Sequence, residues 1–349
     1  MNHLENYKNY LTKSSLSRDD LIEKFISTRN DSLNICSNLQ NEDFVVQPCP
    51  EVSPPKWHLA HTTWFFEELI LVQNFRDYSR FNENYRPLFN SYYKSAGNHW
   101  IQSHRGQLSR PTVEEVMAYR AYVDKNIINF LRSSDSSSEV NFFLEVGLHH
   151  ERQHQELLLM DIKYILATNP SFPAYISDPY KKSDITPNSW KKFEENIYEV
   201  GHKGQSFAYD NEGPRHKTYI YPFEIRESTI SNGEYLQFMQ DGGYSNAKYW
   251  LSEGWEWVNN QNVKCPLYWQ EKDGQWFEYT LYGFNKIDMN APVTHINYYE
   301  ADAFANWTDH RLPTEFELEI FLNESENHID NNNSFHPNET NNHIRQVWC

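Results

Sequence analysis

Apolar residues recur at helical spacing near the start of the chain. Leu21, Ile22, Phe25, Ile26, Leu33 and Ile35 make one stripe and predict an amphipathic helix over 19–40, with Asp19 and Asp20 placed to cap it. Pro48, Pro50, Pro54 and Pro55 mark a loop, and Pro55 suits the first turn of a second helix running from Trp57 to about Asp77. A polar, Tyr-rich loop follows. Ser109-Arg110-Pro111-Thr112-Val113-Glu114-Glu115 reads as a helix start, with Thr112 as N-cap and Glu115 completing a capping box. That third helix is expected to reach about Leu131. Ser133–Ser138 is a polar break, and a fourth helix is predicted from about Glu139 to Ala167. Four long helices joined by loops predict a bundle.

The pattern changes after Asn169-Pro170. Residues 170–195 hold four prolines and many charges and read as a linker. Beyond it come short strand-like runs such as Lys217–Ile225, frequent Gly and Trp, and helical pieces near 231–240, 298–308 and 314–322. Residues 323–343 are Asn-rich and polar, as in an exposed loop. The expected class is α+β and multidomain: a helical bundle over 1–169, a linker over 170–195, and a mixed, loop-rich domain over 196–349.

Composition supports two cores. The 349 residues are long for one domain, and 16% of them are aromatic, enough to fill a second interior. The net charge of −17 repels phosphate backbones, so no nucleic-acid partner is expected. Cys36, Cys49, Cys265 and Cys349 form no C-x-x-C pair, which points to a reducing, cytoplasmic setting. Met1–Lys13 is polar, and no apolar run suggests a leader or a membrane span. The Asn-x-Thr at Asn338 is therefore read as a chance sequon.

The densest chemistry lies in Gly147-Leu148-His149-His150-Glu151-Arg152-Gln153-His154-Gln155-Glu156. On a helix, His150 and His154 stand one turn apart on one face and can hold a single divalent metal. A literal zincin reading of His-Glu-x-x-His would make Glu151 a general base, but it needs a cleft against a sheet, and this helix reads as bundled. The upstream run Trp57-His58-Leu59-Ala60-His61-Thr62-Thr63-Trp64-Phe65 offers a third imidazole. His61 is preferred to His58 because Trp57, Trp64 and Phe65 share its side and would wall a site. His149 is placed either behind the ligands or outward, and Glu156 is a candidate to orient a ligand imidazole. Arg105 and Arg110 form a loop pair suited to carboxylates.

Together these segments resemble the ergothioneine-biosynthesis sulfoxide synthases, in which a DinB-like four-helix bundle precedes a C-type-lectin-like domain of the formylglycine-generating-enzyme/sulfatase-modifying-factor type. The resemblance rests on Trp57–Glu67, Leu88-Phe89-Asn90-Ser91-Tyr92-Tyr93, Arg105–Thr112 and His150–Glu156. In the second half it rests on Asn211-Glu212-Gly213-Pro214-Arg215-His216, Pro292–Ala301 and Arg311-Leu312-Pro313-Thr314-Glu315.

The resemblance implies a non-haem Fe(2+) enzyme that uses O2 to join a cysteine-type thiol (γ-glutamylcysteine or cysteine) to the imidazole of hercynine as a sulfoxide. His61, His150 and His154 match the iron ligands. Arg105 and Arg110 fall where the family binds the thiol substrate's carboxylates, and Gln153 lies where contact with hercynine is implied. The chain ends at Gln346-Val347-Trp348-Cys349, inside a Val-Trp-x-Trp-Thr-type segment after which the family places its catalytic Tyr. The expectation is an incomplete second domain, no nameable catalytic acid, a retained metal site and impaired synthase activity. A DinB-like metal-dependent thiol transferase and a non-catalytic fragment stay open as alternatives.

Overall fold

The computed structural model describes residues 17–91, 100–133, 137–184, 187–204 and 206–325. The expectations for Met1–Lys13, Tyr92-Tyr93, the sequon at Asn338, residues 326–343 and Gln346–Cys349 lie outside them. The chain divides into two compact units. One holds the residues up to Tyr175 together with Lys203–Asn211; the other holds Ile176–His202 and the residues from Glu212 onward.

The first unit is helical. Helix α1 spans Arg18–Cys36, α2 Pro55–Phe66, the short α3 Tyr85–Phe89, α4 Val113–Ser133 and α5 Ser138–Ala167. The cap of α1 corrects the sequence reading: Ser17 is the N-cap, and Asp20 closes a capping box with it. Thr112 and Glu115 form the box expected of them, Thr112 N–H donating to Glu115 at 2.6 Å and Glu115 N–H to Thr112 Oγ1 at 3.1 Å. Pro55 opens α2, where its missing N–H costs nothing.

Helix α2 is the centre of the bundle. It packs against α4 and α5, while α1 packs against α5 and α4. Every residue from Pro55 to Phe66 is buried, the polar Lys56, His58, His61, Thr62 and Thr63 included. It then runs through a single π turn, Glu67–Leu71, to Asn74. The buried Glu67 carboxylate there accepts from Tyr78 Oη and Tyr119 Oη, each at 2.6 Å, and from Phe81 N–H at 3.0 Å.

The second unit mixes helices with small antiparallel sheets. Strand β1 (Trp190–Phe193) lies within the stretch read as linker and pairs with β4 (Phe223–Arg226). Strand β2 (Asn196–Val200) pairs with β3 (His216–Ile220), and β5 (Trp269–Lys272), β6 (Gln275–Thr280) and β7 (Gly283–Lys286) form a meander. Helices α6 (Asn232–Gln240), α7 (Ser252–Gln261), α8 (Tyr298–Trp307) and α9 (Glu315–Ser325) belong to the same unit. Ser231/Glu234, Asn297/Glu300 and Thr314/Glu317 each make reciprocal capping contacts. Tyr235, Phe238, Tyr244, Trp250, Val258 and Phe304 share one core. Within it Glu300 also accepts from Tyr244 Oη at 2.5 Å; burial raises its pKa despite that bond. The expected α+β class, helical first and sheet-containing second, is what the fold displays. No helix of the described residues is long and apolar enough to cross a membrane.

Candidate metal centre

Helices α2 and α5 can lie close together because α5 has Gly147 where they meet. A Cβ at that position would stand 2.5 Å from a ring carbon of Phe66 on α2. The close approach brings His61 of α2 to His150 and His154 of α5. One ring nitrogen from each of the three lies within 4.8 Å of the others. His61 Nε2 is 3.2 Å from His150 Nε2, and the His150 and His154 rings stand 4.6 Å apart.

All three imidazoles are held neutral. Burial pushes His61 and His154 well below the usual histidine range, and neighbouring imidazoles add to the shift. Burial likewise takes His150 down to about 4. Neutral rings keep the lone pairs a metal needs. Around them is an aromatic wall. Trp57 lies parallel to His61 with ring centres 4.5 Å apart, Trp64 is near-parallel at 5.9 Å, and Phe65 is 4.9 Å from His150.

Hydrogen bonds orient two of the rings. His61 Nδ1 meets the Phe89 carbonyl at 2.5 Å, so Nδ1 carries the proton and Nε2 the lone pair. His154 Nδ1 is 2.8 Å from His58 Nδ1, and His58 Nε2 is 2.8 Å from Asp161 Oδ2. His150 Nδ1 is buried with no hydrogen-bond partner among the described residues. Three converging neutral imidazoles, one with an unsatisfied buried nitrogen, fit a divalent metal such as iron or zinc.

The other expected site residues divide. Arg105 is buried, lies 3.3 Å over the Trp57 ring and donates from Nη1 to Ser53 Oγ at 2.7 Å. Its charge is therefore beside the triad, one ring removed from His61. Arg110 is exposed and donates from Nη1 to the Ser109 carbonyl at 3.1 Å. Lys56 Nζ pins their loop through the Leu108 and Pro111 carbonyls, at 2.7 and 2.9 Å. Gln153 is exposed, next in sequence to His154.

Three expectations need correcting. Glu156 is exposed and orients nothing, because two residues on from His154 at about 100° each turn it away from the triad. His149 neither backs a ligand nor points free; it stacks on Phe207, centroids 3.9 Å apart. Glu151 is no general base. It is fully buried on the far side of α5, bonded to Arg120 Nη2 at 2.5 Å, Ser32 Oγ at 2.6 Å and Arg29 Nη1 at 2.9 Å. Burial raises its pKa, but the two guanidiniums outweigh that and bring it down to about 2. The zincin reading ends there.

Two orienting groups escaped the sequence reading. The Phe89 carbonyl leaves no signal in sequence. Asp161 does: it follows His154 by seven residues, two turns along the same face.

Residues 24–158 match the DinB superfamily, and residues 182–346 match the Sulfatase-modifying factor enzyme 1-like domain. The chain is 26% identical to the hercynine oxygenase of Mycolicibacterium thermoresistibile, over 86% of this chain and 66% of that protein. It is 28% identical to the hercynine oxygenase of Mycobacterium tuberculosis, over 51% of this chain and 42% of that protein. With ergothioneine biosynthesis protein 1 of Schizosaccharomyces pombe it shares 33% identity, over 33% of this chain and 13% of that one. The chain thus spans less than two thirds of the length of these relatives. It is a DinB superfamily domain followed by a Sulfatase-modifying factor enzyme 1-like domain, homologous to proteins named hercynine oxygenase and ergothioneine biosynthesis protein 1.

Proposed function

We propose that this protein is a non-haem iron(II), O2-dependent sulfoxide synthase of ergothioneine biosynthesis, acting in the cytoplasm on hercynine and a cysteine-type thiol. The observation that carries the reading is the neutral face of His61, His150 and His154, in a chain homologous to hercynine oxygenases. Overall, an imidazole C–H, a thiol S–H and one O2 give a C–S(=O) linkage and one water. Both the new C–S bond and the S–O bond are oxidations, and together they take up the four electrons O2 accepts.

His61, His150 and His154 would hold the iron, which supplies the redox chemistry with O2 when bound. Three protein ligands leave positions for small molecules. The Trp57, Trp64 and Phe65 rings exclude water from one side of the triad, which strengthens every charge interaction there. Arg105 supplies a fixed positive charge near the triad and is the better placed of the two arginines for a substrate carboxylate. Gln153, next in sequence to His154, is the proposed contact for hercynine.

Three imidazoles also suit zinc, and the triad lies wholly within the first unit, so a metal-dependent thiol transfer is the competing reading. O2 uptake separates them. With iron(II) loaded, the synthase reading expects uptake that requires both hercynine and thiol and disappears when zinc replaces iron. Thiol consumption by the zinc form without O2 would favour the transferase.

A further inference from the structure

Behind His154 lies a second polar chain, outside the three converging imidazoles. His58 is one turn before His61 on α2, and Asp161 is two turns after His154 on α5. His58 is 3% exposed, so water does not replace its partners. Its Nε2 faces Asp161 Oδ2 at 2.8 Å, and its Nδ1 faces His154 Nδ1 at 2.8 Å. The same Asp161 oxygen accepts the Ser53 N–H at 2.9 Å, and Ser53 Oγ accepts Arg105 Nη1 at 2.7 Å.

The proton placement follows from these contacts. A carboxylate oxygen only accepts, so His58 Nε2 must donate to Asp161. A neutral His58 then has a lone pair at Nδ1, and the 2.8 Å contact requires His154 Nδ1 to donate to it. His154 is left with its lone pair on Nε2. We propose that His58 and Asp161 form a relay of positioning residues that fixes the tautomer and ring orientation of His154 for metal binding. Histidine ligands commonly use a carboxylate or carbonyl for this purpose; here an imidazole is interposed, and the Asp161 end is joined through Ser53 to Arg105. The inference rests on reading the triad as a metal site but not on the reaction carried out there.

The tautomer is tested directly by nitrogen NMR of the metal-free protein labelled with 15N-histidine. The relay expects His58 protonated at Nε2 and His154 protonated at Nδ1. A His154 found protonated at Nε2 overturns it, and no variant is needed for that result. Metal affinity is the second test, with cobalt(II) alone as the probe and its visible absorption as the readout. His58→Phe and Asp161→Ala are expected to weaken cobalt binding about 10- to 100-fold. Asp161→Asn keeps an acceptor oxygen and is expected to stay within about threefold of the parent, by the same reasoning. Parent-like affinity in His58→Phe contradicts the relay. So does an equal loss in Asp161→Asn and Asp161→Ala, because it would show that charge rather than proton placement matters. None of these results depends on hercynine, thiol or O2, so failure here is distinguishable from failure of the synthase reading.

Discussion

Gly147 and Phe66 set the distance between the two helices that carry the triad. A Cβ at 147 would sit 2.5 Å from the Phe66 ring and 3.0 Å from that of Phe65, and Phe65 in turn lies 4.9 Å from His150. A helical glycine normally costs about 1 kcal/mol relative to alanine, so Gly→Ala usually stabilises. Here the sign reverses, because the rings are packed in the core and cannot yield. Gly147→Ala is expected to destabilise by roughly 1–3 kcal/mol, as overpacking does, and to weaken metal binding as α5 moves off α2. Urea denaturation and a cobalt titration check both parts.

Glu151 separates the zincin pattern from what the residue does. Removing its charge leaves Arg29 and Arg120 buried with one partner fewer. Glu151→Gln is expected to cost roughly 3–5 kcal/mol, the usual penalty for breaking a buried pair. At a temperature where the variant stays folded, it should still bind one metal. Loss of metal binding in a folded variant would show that Glu151 serves the site.

Helices α2 and α5 show what was legible in sequence. The i,i+4 spacing of His150 and His154 and the Trp/Phe surroundings of His61 are periodic signals. They locate α2 and α5, and the fold follows from four such stripes. Glu151 and Glu156 were ambiguous for the same reason: a carboxylate beside a ligand in sequence can point anywhere on the helix. Only the partners Arg29, Ser32 and Arg120, brought in by α1 and α4, decide that Glu151 faces away. The π turn after Phe66 was invisible because Glu67-Glu68-Leu69-Ile70-Leu71 is too short to reveal a change of helical phase. Helix α7 and the β5–β7 meander escaped because short elements rich in Trp and Gly do not hold a period long enough to read.

Acid should destabilise the metal-free protein in two stages. The triad histidines have folded pKa values below their unfolded ones, so between about 6.5 and about 4 the unfolded chain binds more protons. Their contribution is complete above the unfolded value and is lost as pH falls through that window. Glu151 then acts between its ordinary 4.5 and about 2, in the same direction. Urea midpoints measured from pH 7.5 to 4 are expected to fall steadily, and His150→Phe should flatten the slope. A flat parent curve over this range would contradict neutral burial of the triad.

Arg105 and Arg110 are distinguished by their surroundings. Arg105 lies against Trp57 beside the triad, and Arg110 is exposed. On the proposed reaction, Arg105→Met is expected to raise KM for the thiol by about tenfold or more, equivalent to about 1.4 kcal/mol or more. Arg110→Met is expected to change it by less than about threefold, as exposed charges do. Steady-state kinetics varying the thiol at fixed hercynine compares the two, and the reverse order would place the carboxylate site on the outer loop.

The central claim is that the triad serves O2-dependent joining of a thiol to hercynine. The most direct test is mass spectrometry of the product after anaerobic iron(II) loading, addition of hercynine and γ-glutamylcysteine or cysteine, and admission of 18O2. It is run on this chain and on any longer form its gene encodes. The expected result is a sulfoxide of the joined substrates carrying one heavy oxygen atom, absent without iron and absent in His61→Ala. One iron bound per chain, with no joined product from any form and no O2 uptake on adding both substrates, would contradict the claim.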